Sequence, residues 1–193
     1  GTQYIKEYMF HSCTSLESVV LPSTITQIWI DAFSSCTSLK NINIPQSITS
    51  IDNRAFRYCE SLTEFHFPKN LLTISENVLE GCKNLVEVTI PEGVTTISTE
   101  AFRNCISLLE VTIPSTVNLI KGLAFADCKS CKAVYCKPTT PPKAEGSWMH
   151  PWNNTFLINP AGKIYVPITS VDDYTNAPGW GEYYWNIIEG YIF

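Results

Sequence analysis

The chain has 193 residues, of which 45% are hydrophobic and only 16% are charged, below the roughly 25% of an ordinary globular domain. The net charge is −5 and no cluster of Lys and Arg occurs, so we expect neither nucleic acid nor an anionic membrane surface as a partner. No apolar run approaches the ~18 residues of a spanning helix, so we expect no membrane insertion of this segment.

A repeating pattern is already under way at Gly1, and no signal peptide opens the chain. We therefore expect the first repeat to be partial and the sequence to be an excised piece. Prolines from Pro22 to Pro114, leucines from Leu16 to Leu108 and isoleucines from Ile5 to Ile120 each recur every 23 residues. Two further positions keep the same period: Cys13, Cys36, Cys59, Cys82, Cys105 and Cys128, and Phe10, Phe33, Phe56, Leu79, Phe102 and Phe125. Chance does not hold so many registers together, so the pattern predicts a solenoid.

Each repeat carries two short strands and one tight turn. Val88-Thr89-Ile90 alternates apolar and polar residues, as a half-buried strand does, and Pro91 ends it because proline cannot donate to a strand ladder. "GVTTI" predicts a second brief strand, and "EAFRNC" predicts a single helical turn with Ala and Phe facing inward. The first strands of successive repeats should pair in parallel, about 4.7–4.9 Å apart, and form a surface that we call the strand wall.

The 23-residue unit resembles the BspA-like leucine-rich repeats of bacterial surface proteins, over roughly residues 4–136. The resemblance implies a right-handed, β-rich leucine-rich-repeat solenoid of about six repeats, with parallel strands and short helical turns. It also implies an extracellular or cell-surface location and adhesion to host matrix proteins. That family commonly has Gly after the second-strand isoleucine. This chain has other residues there, so the turn must form without glycine's access to positive φ: Trp29, Asp52, Ser75, Ser98 and Lys121.

The pattern changes after residue 137, and we assign 1–137 to the repeat array and 138–193 to an enlarged last coil with an aromatic α+β cap. "KIYVP" at 163–167 restores the strand motif with its proline 30 residues after the previous such position instead of 23, which predicts a seven-residue insertion before a last strand. "SVDDYTNA" predicts a short helix, with Ser170 and Asp173 at the spacing of an N-cap pair and Pro178-Gly179 as its stop. The tail also resembles the "YVP…SVDAY…APGW" ending of Bacteroides-type surface proteins.

Four of the five tryptophans lie in this tail: Trp148, Trp152, Trp180 and Trp185. An array needs a terminal unit over its apolar end, so cap core is the favoured interpretation. A platform for stacking sugars is the alternative.

The eight cysteines could form disulfides, bind a metal or remain free. Six occupy one slot of successive coils, so their Cβ atoms should lie about 4.8 Å apart, longer than the ~3.8 Å of a disulfide. Cys131 and Cys136 take the slots of Leu108 and Ile113, so we predict that all eight are free and point inward. Cys128, Cys131 and Cys136 with His150 outline a Cys3His zinc site, but the repeat register explains these cysteines without metal. We predict no metal and no cofactor.

No hydrolase, metalloprotease, nucleotide-binding or dinucleotide-binding motif occurs in the chain. The histidines are His11, His66 and His150, and His66 with Glu64 is the one acid–base pair on the outward face of the predicted strands. We therefore predict that the protein is not an enzyme and has no catalytic residues.

Two outward columns of the strand wall carry the candidate binding residues. One holds Glu64, Glu87 and Glu110, which repel by about 0.9 kcal/mol per neighbouring pair in bulk water. This column is interpreted as a solvated face, as a Ca²⁺ site or as a site for a basic patch on a partner. The second column holds His66 and, at the cap end, Tyr135 and Tyr165 side by side, where exposed aromatic rings could anchor a partner.

These features predict a non-catalytic surface module that binds a host matrix protein or another surface protein, or a glycan, through the strand wall. A carbohydrate-binding module that uses the tail aromatics and a passive stalk of a larger surface protein are the alternatives.

Overall fold

The computed structural model describes residues 2–145, 162–180 and 188–193. In these residues the chain winds as a solenoid of about seven turns with parallel strands and little helix, as the repeat predicted. Each full coil contributes one strand to each of two walls, because the residues that alternate apolar and polar recur at the same two places in every repeat.

The strand wall comprises the first strand of each coil and alternates outward and inward residues. Its strands are β2 (Ser18–Val20), β4 (Asn41–Asn43), β6 (Glu64–His66), β8 (Glu87–Thr89), β10 (Glu110–Ile113), β12 (Ala133–Cys136), β14 (Lys163–Pro167) and β15 (Ile188–Tyr191).

The second wall comprises two-residue strands, each with its isoleucine or equivalent pointing inward. These strands are β1 (Tyr4–Ile5), β3 (Gln27–Ile28), β5 (Ser50–Ile51), β7 (Thr73–Ile74), β9 (Thr96–Ile97), β11 (Leu119–Ile120) and β13 (Lys143–Ala144). Parallel pairing in both walls follows the repeat register, for example Glu64 opposite Glu87 and Thr73 opposite Thr96.

A column of phenylalanines fills the middle of the solenoid. Phe33 stacks on Phe10 and on Phe56, with ring centroids 5.0 and 5.2 Å apart. Leu79 interrupts the column, and Phe65 and Phe67 from the strand wall fill the gap it leaves, where other coils carry smaller aliphatic residues. The repeat therefore tolerates a change of residue in one slot because another slot in the same region compensates for the lost volume.

The turns that join the second wall to the next cysteine form what we call the corner side: residues 29–36, 52–59, 75–82, 98–105 and 121–128. These corners are turns rather than the predicted helical turn. Backbone N–H groups bond alternately within the turn and to the next coil, as in Ser34 to Asp31 (3.1 Å) and Ser35 to Arg57 (2.7 Å). The residue after the isoleucine does not take positive φ, so the missing glycine creates no strain there.

Residues with left-handed backbone occur instead two and six positions after the residue that follows the isoleucine, and they prevent a continuous helical turn. They are Tyr8, Ser12, Asp31, Ser35, Arg54, Tyr58, Asn77, Gly81, Glu100, Asn104, Leu123 and Asp127. For a residue other than glycine, asparagine or aspartate this conformation costs about 1–2 kcal/mol, so the corner side carries strain that its other contacts must offset.

All eight cysteines are free thiols, and seven are buried. Along the corner side each buried thiol donates to the carbonyl of the Phe slot in the preceding coil, as Cys59 does to Phe33 at 3.2 Å and Cys105 to Leu79 at 3.3 Å. The prediction that every cysteine points inward is wrong for Cys13, which is exposed because its coil has a neighbour on one side only.

The tail extends the solenoid further than predicted. Ala133 pairs with Lys163, 30 residues on, so the seven-residue insertion is confirmed. The strand 163–167 is not the last one, because β15 adds in parallel to β14 with Ile164 opposite Ile188. The sequence "IIEGYI" lacks the proline that marks most of the other strand-wall strands, and no repeat register reaches it, so this strand was missed. The assigned boundary at 137/138 stays a prediction.

The predicted short helix is present as α1 (Val171–Asn176), preceded by a 3₁₀ turn at Ile168–Ser170. Ser170 makes no side-chain cap bond, since the 3₁₀ turn already continues the chain into the helix and buries this residue. Trp180 is buried, contacts Tyr174 edge-on at 5.0 Å and donates its Nε1–H to the Pro142 carbonyl. Trp180 is thus a core residue of the tail, whereas Trp148, Trp152 and Trp185 lie outside the described residues.

Candidate functional site

The outward face of the strand wall presents two columns of side chains, because alternate residues of each strand point away from the core. The first column is Ser18, Asn41, Glu64, Glu87, Glu110, Ala133 and Lys163, and the second is Val20, Asn43, His66, Thr89, Thr112, Tyr135 and Tyr165. All six predicted binding residues lie on this face.

Three glutamates of the first column occupy successive coils. Glu64 and Glu87 are directly paired in neighbouring strands, and Glu110 follows one repeat later. All three side chains are exposed. Among the described residues, no Lys, Arg or His nitrogen comes within 4.0 Å of the carboxylates of Glu87 and Glu110. The part of the wall that holds Glu87 and Glu110 is therefore acidic, with no ion pair to either carboxylate among the described residues.

His66 lies beside Glu64, as the sequence predicted, but in open solvent. Its Nε2 is 3.8 Å from a Glu64 carboxylate oxygen, and its Nδ1 is 3.0 Å from the Thr89 hydroxyl. Both side chains of the pair are more than half exposed. General bases in enzymes are usually shielded and perturbed by their surroundings, so this geometry favours a solvated polar pair.

Aromatic rings gather at the cap end of the second column. Tyr135 and Tyr165 stack with centroids 5.0 Å apart and planes 17° apart. Tyr191 from β15 meets both rings edge-on at 5.5 and 5.6 Å, and Phe193 lies 5.1 Å from Tyr191. Tyr191 and Phe193 are 44% and 50% exposed. We call Tyr135, Tyr165, Tyr191 and Phe193 the tyrosine cluster.

Burial, together with the nearby negative charge of Glu110, raises the pKa of Tyr135. Glu110 and Tyr135 lie in the paired strands β10 and β12, where Glu110 is opposite Ala133 and Thr112 is opposite Tyr135, so the glutamate column and the tyrosine cluster adjoin one another.

A groove of about 500 Å³ crosses the wall between β8 and β10, where regular strand pairing is interrupted. Exposed Val86 and Leu109 belong to its lining, at 42% and 48% exposure. The polar lining comprises Glu87, Thr89, Glu110, Thr112 and Lys137. The groove joins the acidic column to the coil that precedes Tyr135.

The corner side differs, since several of its charged groups are paired from coil to coil. Arg57 donates to Glu80 at 2.7 Å, and Asn77 bridges Glu80 and Glu100 at 2.8 and 2.9 Å. Arg54 donates to Asp31 at 2.9 Å. Burial alone would lower the pKa of Arg57, but its hydrogen bond to Glu80 and the charge of that carboxylate outweigh this, so the net shift is upward. These contacts stabilise neighbouring coils against one another.

Among the described residues, no three His, Cys, Asp or Glu side chains are grouped so that they could hold a metal ion. The thiol of Cys128 donates to the Phe102 carbonyl at 3.3 Å, and Cys131 approaches the Ala133 carbonyl at 3.5 Å. Burial raises the pKa of Cys131 to about 11. A buried, protonated thiol is a poor metal ligand. His150, the fourth residue of the zinc alternative, lies outside the described residues.

Sequence reasoning missed Tyr191, Phe193 and the exposed pair Val86 and Leu109. Tyr191 belongs to the strand without a proline, so no register placed it beside Tyr135. Val86 and Leu109 stand one repeat apart in the slot before the glutamates. Their recurrence next to an outward column could have indicated an apolar margin to the wall.

No helix in the described part of the chain is long and apolar enough to cross a membrane.

Comparison with known proteins identifies the repeat. The profile described as "BspA type Leucine rich repeat region" matches residues 3–132 in six copies. No curated protein matches the chain.

Solved structures of leucine-rich repeat proteins are similar to the chain. A leucine-rich repeat protein of T. pallidum is 34% identical, with a TM-score of 0.66, over 68% of this chain and 61% of that protein. A leucine-rich cell surface protein of Faecalibacterium prausnitzii is 20% identical, with a TM-score of 0.54, over 85% of this chain and 57% of that protein. A leucine-rich repeat protein of Eubacterium ventriosum is 20% identical, with a TM-score of 0.55, over 75% and 44%. The chain thus spans less than two thirds of each of these relatives.

Proposed function

The chain belongs to the BspA-type leucine-rich repeat family, and we propose that it is a non-catalytic binding module that holds a protein partner through the strand wall. Its place of action is the cell surface or the extracellular space, by analogy with the similar protein of F. prausnitzii, which is described as a cell surface protein. The partner class that the family resemblance suggests is a host matrix protein or another surface protein.

The observation that supports this proposal is the state of the outward groups on the strand wall. Glu87 and Glu110 lack an ion-pair partner among the described residues. The half-buried ring of Tyr135 lies in the strand next to Glu110, and the exposed rings of Tyr191 and Phe193 extend the same cluster toward the end of the wall. Neither feature stabilises the isolated fold: exposed like charges repel, and exposed aromatic surface forgoes hydrophobic stabilisation. Tyrosine is a frequent energetic anchor in protein interfaces.

Carbohydrate binding through the tail aromatics gains no support from Trp180, whose ring is buried in the cap. A passive stalk would need no exposed aromatic cluster and would tolerate any substitution of the wall's outward residues.

The test is a binding screen of the chain against immobilised matrix proteins and a glycan array, by surface plasmon resonance. The wall variant Glu87→Ser/Glu110→Ser would run beside the control Glu7→Ser/Glu76→Ser, which removes the same charge from exposed glutamates away from the wall. We expect a protein partner whose binding the wall variant loses and the control keeps. Binding that both variants keep would place the interface elsewhere, and binding to glycans alone would overturn the protein-partner proposal.

A further inference from the structure

We propose that the partner presents an extended segment bearing an arginine, whose guanidinium stacks on the open face of Tyr135 and pairs with Glu110. This inference rests on the proposed function and names the chemistry of the partner at that surface.

Tyr135 offers one ring face to a ligand. Tyr165 stacks on the face toward the cap. On the opposite side the strand register places Thr112 directly beside Tyr135, and the exposed Thr112 side chain carries no ring to cover it. Tyr191 meets Tyr135 edge-on and so supports the ring without stacking on it. The open face therefore looks along the wall toward the groove between β8 and β10.

Charge selects a cation for this face. Glu110 lies in β10, the strand that pairs with β12, and it belongs to the column next to that of Tyr135. Glu87 occupies the same column one coil earlier. Both carboxylates line the groove together with Thr112, and Lys137 is the one cation of that lining. Two carboxylates against one ammonium leave the groove acidic, and the face of an aromatic ring is itself electron-rich. An anionic or neutral segment gains neither interaction.

Arginine fits better than lysine for geometric reasons. The guanidinium is planar, so it stacks on an aromatic ring while its N–H groups donate in parallel to a carboxylate. Its apolar stem can lie along hydrophobic surface, which Leu109 and Val86 supply at the margin of the groove. A groove of about 500 Å³ admits such a side chain with part of its backbone. An extended segment suits a shallow groove that crosses parallel strands.

The experiment measures fluorescence anisotropy of labelled peptides of repeating Gly, Ser and Arg, with Lys and Glu analogues of the same length, at low and moderate salt. We expect the arginine peptide to bind about tenfold more tightly than the lysine peptide and the glutamate peptide not to bind. Tyr135→Leu should lose about tenfold in affinity for the arginine peptide, whereas Tyr135→Phe should keep it, because only the latter retains the ring face. Glu110→Gln should also weaken binding, and Glu76→Gln on the corner side should not.

Thermal unfolding of each variant would show that the fold is intact before its affinity is compared. Equal binding of the arginine and lysine peptides, or full affinity in Tyr135→Leu, would overturn the inference. The two proposals fail in different ways. One outcome is a matrix protein that binds the unmodified chain but not the wall variant, and with which the arginine peptide fails to compete. That result would support the strand wall as the interface and would contradict arginine as the group that it binds. A partner that binds the wall variant as tightly as the unmodified chain would contradict both proposals.

Discussion

The corner side and the strand wall face solvent on different sides of one solenoid, yet they treat polar groups in different ways. On the corner side, several carboxylates and guanidinium groups, and the buried thiols, find partners in a neighbouring coil, as Arg57 with Glu80 and Cys59 with the Phe33 carbonyl. On the strand wall, Glu87 and Glu110 find none among the described residues, and the tyrosine cluster stays partly exposed. Stability therefore accounts for the chemistry of the corner side and does not account for that of the wall.

The largest expected effect concerns the buried thiols, four of them on the corner side and Cys136 on the inward face of the strand wall. Burial raises the pKa of Cys105 to about 12, and it also raises the pKa of Cys59, Cys82, Cys128 and Cys136 well above the ordinary thiol value. A solvated thiol of the unfolded chain titrates near pH 9.0, so the unfolded state loses protons first and is favoured as the pH rises above that value. Between pH 8 and pH 10 each such thiol costs on the order of 1 kcal/mol, so the five together cost several kcal/mol.

This loss is comparable with the whole free energy of unfolding of a typical domain, so we expect the chain to unfold near pH 10. Urea titrations in reducing buffer at pH 8, 9 and 10, followed by circular dichroism, would measure it. The matched variant is Cys136→Ile, because Ile113 fills the same slot one coil earlier. This variant should lose about one fifth less free energy of unfolding between pH 8 and pH 10, because one of the five thiols is gone. A free energy of unfolding that stays constant to pH 10 would contradict this account of the buried thiols.

A smaller effect compares one glutamate from each side. Glu80→Ala leaves Arg57 and Asn77 without the carboxylate that both contact, and the Glu80 side chain is only 9% exposed. Removing one partner of such a buried pair costs about 3 kcal/mol. Glu87→Ala removes an exposed, unpaired carboxylate and should change the free energy of unfolding by less than about 0.5 kcal/mol.

Chemical denaturation of the two variants under one set of conditions makes the comparison direct. Equal destabilisation by Glu80→Ala and Glu87→Ala would mean that the wall glutamates support the fold, and the case for a binding surface would lose its main support.

The periodic part of this molecule could be predicted because each coil repeats the same slots. One alternation, at Val88-Thr89-Ile90, located the strand wall in every repeat and thus placed Glu64, His66 and Tyr135 on one face. The corner network could not be predicted, since the contact between Arg57 and Glu80 depends on left-handed backbone at neighbouring residues that the sequence does not mark. Arginine and leucine rarely adopt positive φ, so the left-handed backbone at Arg54 and Leu123 could not be expected from the residue types.

The cap was predictable only where it copies the repeat. "KIYVP" keeps the strand motif and was placed correctly opposite Ala133. Tyr191 lies in a strand that occurs once, without the marker proline, so its contact with Tyr135 and Tyr165 emerges only in three dimensions. Single-copy segments offer no second instance against which to fix a register.

A third expected effect tests how tightly the corner side is packed. Gly81 is left-handed, with φ of 73°, and a Cβ added to it would clash with Cδ1 of Tyr58 in the preceding coil. Gly81→Ala should therefore destabilise the chain by about 2 kcal/mol or more, through backbone strain and overpacking together. Urea denaturation would measure the loss.

The double variant Tyr58→Ala/Gly81→Ala removes the clash and keeps the strain. We expect its loss in the free energy of unfolding to be at least about 1 kcal/mol smaller than the sum of the losses in the two single variants. Strict additivity would show that the Tyr58 ring moves aside freely, and that the corner side is looser than its contacts indicate.

The smallest expected effect concerns the strain itself. Ser35 is left-handed, with φ of 62°, whereas its neighbour Ser34 is not. Ser35→Gly relieves about 1–2 kcal/mol of strain and adds about 0.5–1 kcal/mol of unfolded-state entropy, so it should stabilise the chain by about 0.5 kcal/mol. Ser34→Gly gains no relief and should destabilise it by about the same amount. Differential scanning calorimetry of both variants would resolve opposite shifts in Tm. Shifts of the same sign would mean that the coil-to-coil hydrogen bonds, and not the residue at this position, determine the left-handed corner.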